Sequence, residues 1–94
     1  MNMNEKELER LLKALGNKRR LAILAYLKKV KESSVGEIAS HIKLSLKATS
    51  KHLSVLYGID ALEKEQRSLN VFYRLNSKLP PIIKHVSNAL PEYS

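Results

Sequence analysis

Residues 44–59, LSLKATSKHLSVLYGI, combine hydroxyl, ammonium and imidazole side chains and contain no carboxylate. Lys and Ser side chains donate hydrogen bonds to phosphate, and Lys also reaches guanine O6 and N7 in the major groove. In a helix with Ser45 as its N-cap, Lys47, Ser50 and Lys51 share the outer face, because residues three and four apart are neighbours. The pattern predicts a DNA-contacting surface, and the alternative is a solvated helix face.

Three further residues of this segment are included among the predicted DNA contacts. Leu46 suits the methyl group of thymine, and it could equally close the preceding turn together with Leu44. His52 lies between the inner and outer faces, where a hydrogen-bonded structural role is favoured over metal ligation and phosphate contact is a third reading. Thr49 is assigned to the contact set although its position also allows it to face inward.

Basic residues at two other places complete the predicted DNA-contacting set. Lys18, Arg19 and Arg20 fall in the first turn of a predicted helix, where positive charge opposes the helix dipole. We therefore predict that they bind phosphate. Arg67 lies at the tip of a predicted hairpin and is predicted to contact the DNA backbone or the minor groove. Arg74 is included as well, with pairing to a carboxylate inside a dimer as its alternative.

The overall charge agrees with an anionic partner. The chain has 94 residues, with 17 Lys and Arg against 9 Asp and Glu, which gives a formal net charge of +8. Such an excess favours nucleic acid or an anionic membrane as partner, and the length suits one compact domain over residues 1–94. There is no Cys, so the sequence offers no disulfide, no thiolate metal site and no thiol that could be oxidised as a trigger.

Several classes of function lack their residues in this sequence. We find no Gly-rich phosphate loop, no supported Ser-His-Asp arrangement and no clustered carboxylate pair, so we predict neither an enzyme nor a cofactor. No apolar run approaches the roughly 18 residues of a membrane span. The N-terminal segment MNMNEKELER is charged and lacks the apolar core of a signal peptide. We predict a cytoplasmic protein without a membrane partner.

The elements that must position these residues are predicted from hydrophobic periodicity. Four helices, two strands and a last helix follow one another. A short helix, a tight turn, a second helix and a hairpin form the order of a winged helix-turn-helix, so we predict a mostly α fold with a small β-hairpin wing. The predicted parts are two helices (1–30), the helix-turn-helix (34–57), the wing hairpin (61–75) and a C-terminal helix (80–90).

The two terminal helices carry more apolar residues than a small monomer needs. An apolar face at each end of the chain predicts a homodimer interface. The alternative is that both faces cover a single core. The predicted interface residues are Leu8, Leu11, Leu12, Leu15, Ile82, Ile83, Val86 and Leu90.

Three segments resemble the ArsR-type family of winged-helix repressors. They are ALGNKRRLAILAYL at 14–27, SVGEIASHIKLSLKATSKHLSVL at 34–56, and NVFYRL at 70–75. The first matches an A-L-x-x-x-x-R-x-x-I-L-x-x-L opening, and the second contains an S-x-H-L-x-x-L signature at 50–56. The match covers roughly residues 12–75 and keeps order and spacing throughout.

The resemblance implies a homodimeric, sequence-specific regulator, a repressor, that binds double-stranded DNA at a roughly palindromic site. It implies that the first and last helices pair two subunits, that the helix after Ser45 enters the major groove, and that the wing lies along the backbone. It also implies that one arginine of the 18–20 cluster packs structurally. The small-molecule effector, if any, stays unknown. The alternative function is a winged-helix module whose basic face binds an acidic protein or RNA.

The chain departs from the family pattern at three points. Metal-sensing members carry a Cys-x-Cys motif in the helix that here reads SVGEIASHI, and this chain has no Cys. Other members bind zinc through carboxylates and His on the last helix, where this chain offers only His85 and Glu92, so we predict no metal site. Lys43 and Asp60 occupy positions where the family has Gly, which predicts positive φ angles there.

Overall fold

The computed structural model describes residues 3–91 and contains five helices and three short strands within that range. None of the helices described is long and apolar enough to span a membrane. The helices are α1 (Glu5–Leu15), α2 (Lys18–Val30), α3 (Val35–Ile42), α4 (Leu46–Gly58) and α5 (Pro81–Ala89). The strands are β1 (Ser33–Ser34), β2 (Leu62–Arg67) and β3 (Asn70–Leu75). The predicted element order is confirmed, apart from β1.

Side-chain caps fix where the first four helices begin. Asn4 accepts a hydrogen bond from the backbone N–H of Glu7, and Ser45 does the same for Ala48, as predicted for the start of α4. Asn17 accepts from two backbone N–H groups at the start of α2. At the start of α3, the N-cap side chain and the side chain three residues later each accept a hydrogen bond from the other residue's backbone N–H, which is a reciprocal capping box. Each cap satisfies backbone donors that no helical partner reaches.

The strands form a small antiparallel sheet in the order β1-β3-β2. The hairpin of β2 and β3 was predicted, and its register places Leu62 opposite Leu75 and Arg67 opposite Asn70. β1 was not predicted, because two residues are too few for an alternating pattern. Its Ser33 lies opposite Tyr73, so this short strand attaches the wing to the helical part of the chain.

One hydrophobic core lies between the helices and the root of the wing. Leu11, Leu15 and Ile83 belong to that core and are no more than 4% exposed. Their predicted place in a subunit interface is therefore wrong, since a side chain enclosed by its own chain cannot contact a partner. Leu8 and Leu12 lie on the same helix but remain 36% and 53% exposed.

Two tight turns adopt the left-handed backbone that was predicted from the resemblance. Lys43 has a φ of 58° and Asp60 a φ of 63°. The first turn separates α3 from α4, and the second separates α4 from β2. A non-glycine residue in this conformation costs of order 1 kcal/mol. These turns set the angle at which α4 leaves α3 and at which the wing leaves α4.

Candidate nucleic-acid interface

The N-cap and the exposed face of α4 carry five of the twelve side chains that were predicted to contact DNA. Leu46 is 59% exposed, and Lys47, Ser50 and Lys51 are exposed beside it. The hydroxyl of Ser45 accepts a hydrogen bond from the backbone N–H of Ala48 at 3.1 Å, which leaves its own hydrogen free to donate. This face therefore presents donors and an apolar side chain, with no carboxylate on the helix.

Thr49 does not belong to this face. It is 0% exposed on the inner side of α4, so its predicted DNA contact is wrong. One residue along a helix rotates a side chain by about 100°, and that rotation separates Thr49 from exposed Ser50. The Thr49 hydroxyl is also buried without a hydrogen-bond partner among the described residues.

Replacing Thr49 with Val is expected to raise the free energy of unfolding by about 1 kcal/mol. Valine has nearly the same shape, and the change removes a buried hydroxyl whose missing hydrogen bond costs roughly 1–3 kcal/mol. Urea unfolding of the variant and the parent protein measures the difference. Thr49→Ser is the control, because it keeps the hydroxyl, removes a methyl group and should be destabilising. Equal losses in both variants would show that the hydroxyl is satisfied.

The arginines at the start of α2 make structural contacts. The Arg20 side chain donates to the carbonyl oxygens of Ala14 at 2.6 Å and Lys13 at 3.2 Å, at the C-terminal end of α1. Arg19 donates to the carbonyl oxygen of Ile42 at 2.8 Å, at the end of α3. Positive charge at a helix C-terminus interacts favourably with the dipole. The predicted phosphate role therefore does not describe these two guanidinium groups, whereas Lys18 is exposed and remains available.

His52 is held by the same arginine. Its Nδ1 lies 3.1 Å from a guanidinium nitrogen of Arg20. Because arginine has no acceptor, Nδ1 must accept the hydrogen bond, and in the neutral imidazole the ring proton then sits on Nε2. Burial and the positive charges of Arg20 and Arg19 lower the pKa of His52 below its ordinary value of 6.5. The geometry supports the structural reading of this residue over a DNA contact.

The depressed pKa predicts that His52 makes the fold sensitive to acid. Neutral His52 is favoured in the folded chain, so its contribution is complete above pH 6.5 and declines as pH falls toward the lower folded-state pKa. We expect the stability of the parent protein to fall more steeply between pH 7.5 and 5.5 than that of His52→Asn. The comparison isolates His52 from His41 and His85, which both proteins retain. Parallel pH profiles would contradict the assignment.

The two wing arginines are engaged by glutamates of their own chain. Both guanidinium NH groups of Arg67 contact the Glu32 carboxylate, at 2.6 and 2.7 Å, and its Nε lies 3.1 Å from Glu65. Arg74 lies within 3.4–3.6 Å of Glu32, Glu63 and Glu65. The hydrogen bond from Arg67 lowers the pKa of Glu32, and the hydrogen bonds to Glu65 and Glu32 raise the pKa of Arg67.

These ion pairs change the interpretation of the wing. The Arg67 and Arg74 charges that were predicted to contact DNA are already balanced by carboxylates, so the structure does not present them as free phosphate-binding groups. The pairing of Arg74 with a carboxylate was an open alternative, and the partners lie within the same chain. Glu32 was missed, because it lies 35 residues from Arg67 and no local pattern connects them.

Comparison with known proteins places this geometry in a family. A model of bacterial regulatory proteins of the arsR family matches residues 17–64, which span α2 to β2. The transcriptional activator HlyU of Vibrio cholerae is 40% identical over 82 residues, covering 80% of this chain and 75% of that protein. The chain belongs to the ArsR family. The predicted class, a DNA-binding transcriptional regulator, is thereby confirmed, and ArsR-family regulators are not enzymes.

Solved structures of similar proteins have the same fold. Reduced HlyU from Vibrio cholerae superposes with a TM-score of 0.76 at 37% identity, covering 93% of this chain and 87% of that one. NolR from Sinorhizobium fredii gives a TM-score of 0.77 at 25% identity, with coverages of 96% and 92%. A homodimeric winged helix-turn-helix DNA-binding domain from Mycobacterium bovis gives 0.73 at 23% identity, with coverages of 94% and 83%. The predicted winged helix-turn-helix is confirmed.

The histidines of this ArsR-family chain are dispersed. Among residues 3–91, no group of three or more His, Asp or Glu side chains is arranged to hold a metal ion. The His41 ring stacks on Tyr26 at a centroid distance of 4.1 Å. His85 is exposed on α5, and Glu92, the other residue of that segment able to bind zinc, lies outside the described residues.

Proposed function

We propose that the chain is a homodimeric regulator that reads a roughly palindromic site in double-stranded DNA by placing α4 in the major groove. The observation that carries this proposal is the face of α4 described above. Lys47 and Lys51 are four residues apart, Ser50 lies between them, and Leu46 extends the face at its N-terminal end. A lysine ammonium group can donate to guanine O6 or N7, and an apolar side chain can pack against the methyl group of thymine.

Phosphate contacts supply most of the affinity in this proposal. The net charge of +8 attracts DNA, and neutralising phosphates releases counterions, so affinity should fall as salt rises. Lys18 is the candidate phosphate contact outside α4, because it is exposed at the start of α2. The wing adds little charge, since its arginines are paired with glutamates.

The apolar residues that the core leaves uncovered support self-association. Leu8 and Leu12 are exposed on α1, although the same helix buries its other two leucines. Ile82, Val86 and Leu90 are only partly buried at α5. Two copies that paired these surfaces would present two α4 helices to one side of a duplex. Half-sites about 10 base pairs apart follow from that arrangement.

The proposal places the regulator in the cytoplasm, where the chromosome of a bacterium is found. Repression is the direction that the family resemblance implies, whereas HlyU is named a transcriptional activator. The two directions can be separated with a reporter gene behind the bound site. Deleting the gene for this chain raises reporter output if the protein represses, and lowers the output if the protein activates.

Fluorescence anisotropy tests the proposal. The duplexes are the DNA directly upstream of the chain's own coding sequence and a scrambled duplex of the same composition, each at two salt concentrations. We expect binding at least about a hundredfold tighter to a preferred site, with both affinities falling in salt. Equal, weak binding to both would require selection from genomic DNA to find the site. Absence of duplex binding in both experiments would refute the proposal and favour a protein or RNA partner.

A further inference from the structure

The tip of the wing exposes one large apolar side chain. Leu69 is 94% exposed, the highest value among the large hydrophobic residues described, against 59% for Leu46. It occupies a two-residue turn between Arg67 and Asn70, whose other residue, Ser68, has a φ of 57°. Small polar residues and glycine usually occupy such turns, so a leucine there has no local structural reason.

The groups around this leucine leave it as the prominent feature of the tip. Arg67 is the basic residue that directly precedes the turn. Its guanidinium group is held by Glu32 and Glu65, and its Cζ lies 4.8 Å from the centre of the Phe72 ring. Gln66 donates a hydrogen bond to the Ser68 carbonyl oxygen at 3.4 Å. The tip of the hairpin therefore presents an apolar side chain, and its neighbouring positive charge is already paired with carboxylates. It has little capacity to bind phosphate by charge.

The wing is attached at its root to the helix proposed to read DNA. Leu62 is 2% exposed and belongs to the core, and the Lys64 ammonium lies 4.4 Å from the centre of the Tyr57 ring of α4. From Leu62 to Arg67 the strand extends roughly 16 Å, at about 3.3 Å per residue. With α4 in the major groove, a strand of that length is longer than the groove width of about 12 Å, which is long enough for the tip to meet the adjacent minor groove.

We propose that Leu69 is a wedge that enters the minor groove beside the α4 site and separates two stacked base pairs. Apolar side chains inserted between base steps bend a duplex, and flexible pyrimidine–purine steps yield most easily. Only the tip side chain has to enter a groove about 6 Å wide. Leu69 would then give the regulator a preference for deformable steps at positions that no hydrogen bond reads. The inference rests on the proposed DNA-binding function.

The test compares Leu69→Ser with Leu69→Met in the full chain. Both substitutions lie at an exposed position, and methionine retains an apolar side chain, so it serves as the matched control. The probe is the preferred duplex of the anisotropy experiment, labelled at both ends for energy transfer and carrying 2-aminopurine at candidate steps. We expect Leu69→Ser to bind this duplex about tenfold more weakly and to bend it less. The change in 2-aminopurine fluorescence that reports unstacking on binding should also disappear. Leu69→Met should resemble the parent protein, and binding to scrambled duplex should be unchanged.

Each other outcome overturns the inference in a recognisable way. If Leu69→Ser bends and binds the preferred duplex like the parent protein, the wedge is wrong while the proposed function stands. If the substitution changes the mass of the free protein in sedimentation, Leu69 is a protein–protein contact instead of a DNA contact. If the unaltered chain binds no duplex, both the wedge and the proposed function fail together.

Discussion

Exchanging Lys47 and Lys51 together for Gln is expected to weaken binding to the preferred duplex by at least about a hundredfold. Each base contact of this kind contributes roughly 1–3 kcal/mol, and in a dimer each substitution occurs twice. The stability of the fold should hardly change, because both side chains are exposed on α4 and neither has a hydrogen-bond partner among the described residues. Anisotropy with preferred and scrambled duplexes measures the loss of discrimination.

The matched control removes the same charge elsewhere. Lys29→Gln and Lys84→Gln replace exposed lysines of α2 and α5, and together they lower the net charge by the same amount. The control should reduce binding to both duplexes slightly and equally, because it alters only the long-range field. If the control pair weakens preferred binding as much as the α4 pair, general charge explains the affinity and α4 does not read sequence.

Replacing Arg20 with Met is expected to cost about 2–3 kcal/mol of unfolding free energy. The guanidinium group bonds two carbonyl oxygens of α1 and the His52 ring of α4, and a hydrogen bond to a charged group is typically worth about 1.5–3 kcal/mol. We discount the sum because the contact to Lys13 is exposed. Such a loss is a large part of the roughly 5–15 kcal/mol that stabilises a small domain. Urea unfolding provides the measurement.

Arg20→Lys separates a structural role from a phosphate contact. Lysine keeps the charge but lacks the planar fork that reaches three acceptors at once. We expect Arg20→Lys to lose nearly as much stability as Arg20→Met, and Arg19→Met, which loses one such bond, to lose less. A lysine variant with parental stability and reduced DNA affinity would return Arg20 to the phosphate-binding residues.

The elements of the fold were accessible from sequence wherever a local pattern determines them. Helical spacing, the cap at Ser45 and alternation in the hairpin each involve residues within a few positions of one another. The left-handed turns at Lys43 and Asp60 were expected only because the resemblance marked both as glycine positions. β1 escaped prediction, since a two-residue strand is defined by its partner β3 and not by its own sequence.

The site was harder to predict from the sequence, because it depends on which groups the side chains contact in the folded chain. Periodicity placed Thr49 near the boundary of two faces, and its burial depends on the elements packed against α4. Leu11 and Leu12 are neighbours in one stripe, yet one is core and the other is exposed. The arginines were counted as free charge, whereas Arg67 finds Glu32 from 35 residues away. Such partners appear only once the chain is folded.

The contacts between α1 and α4 have a consequence for the genome. Arg10 donates to the Gly58 carbonyl oxygen at 3.1 Å, and Arg20 bonds both helices, so the helix proposed to pair subunits and the helix proposed to read DNA move together. In the homodimer the two α4 helices are then held at a fixed separation and orientation. An extra base pair between half-sites turns one of them by roughly 34° out of reach. Insertions and deletions at the centre of a site would thus abolish it as surely as substitutions at its ends, and regulatory sequences would evolve under a constraint of length.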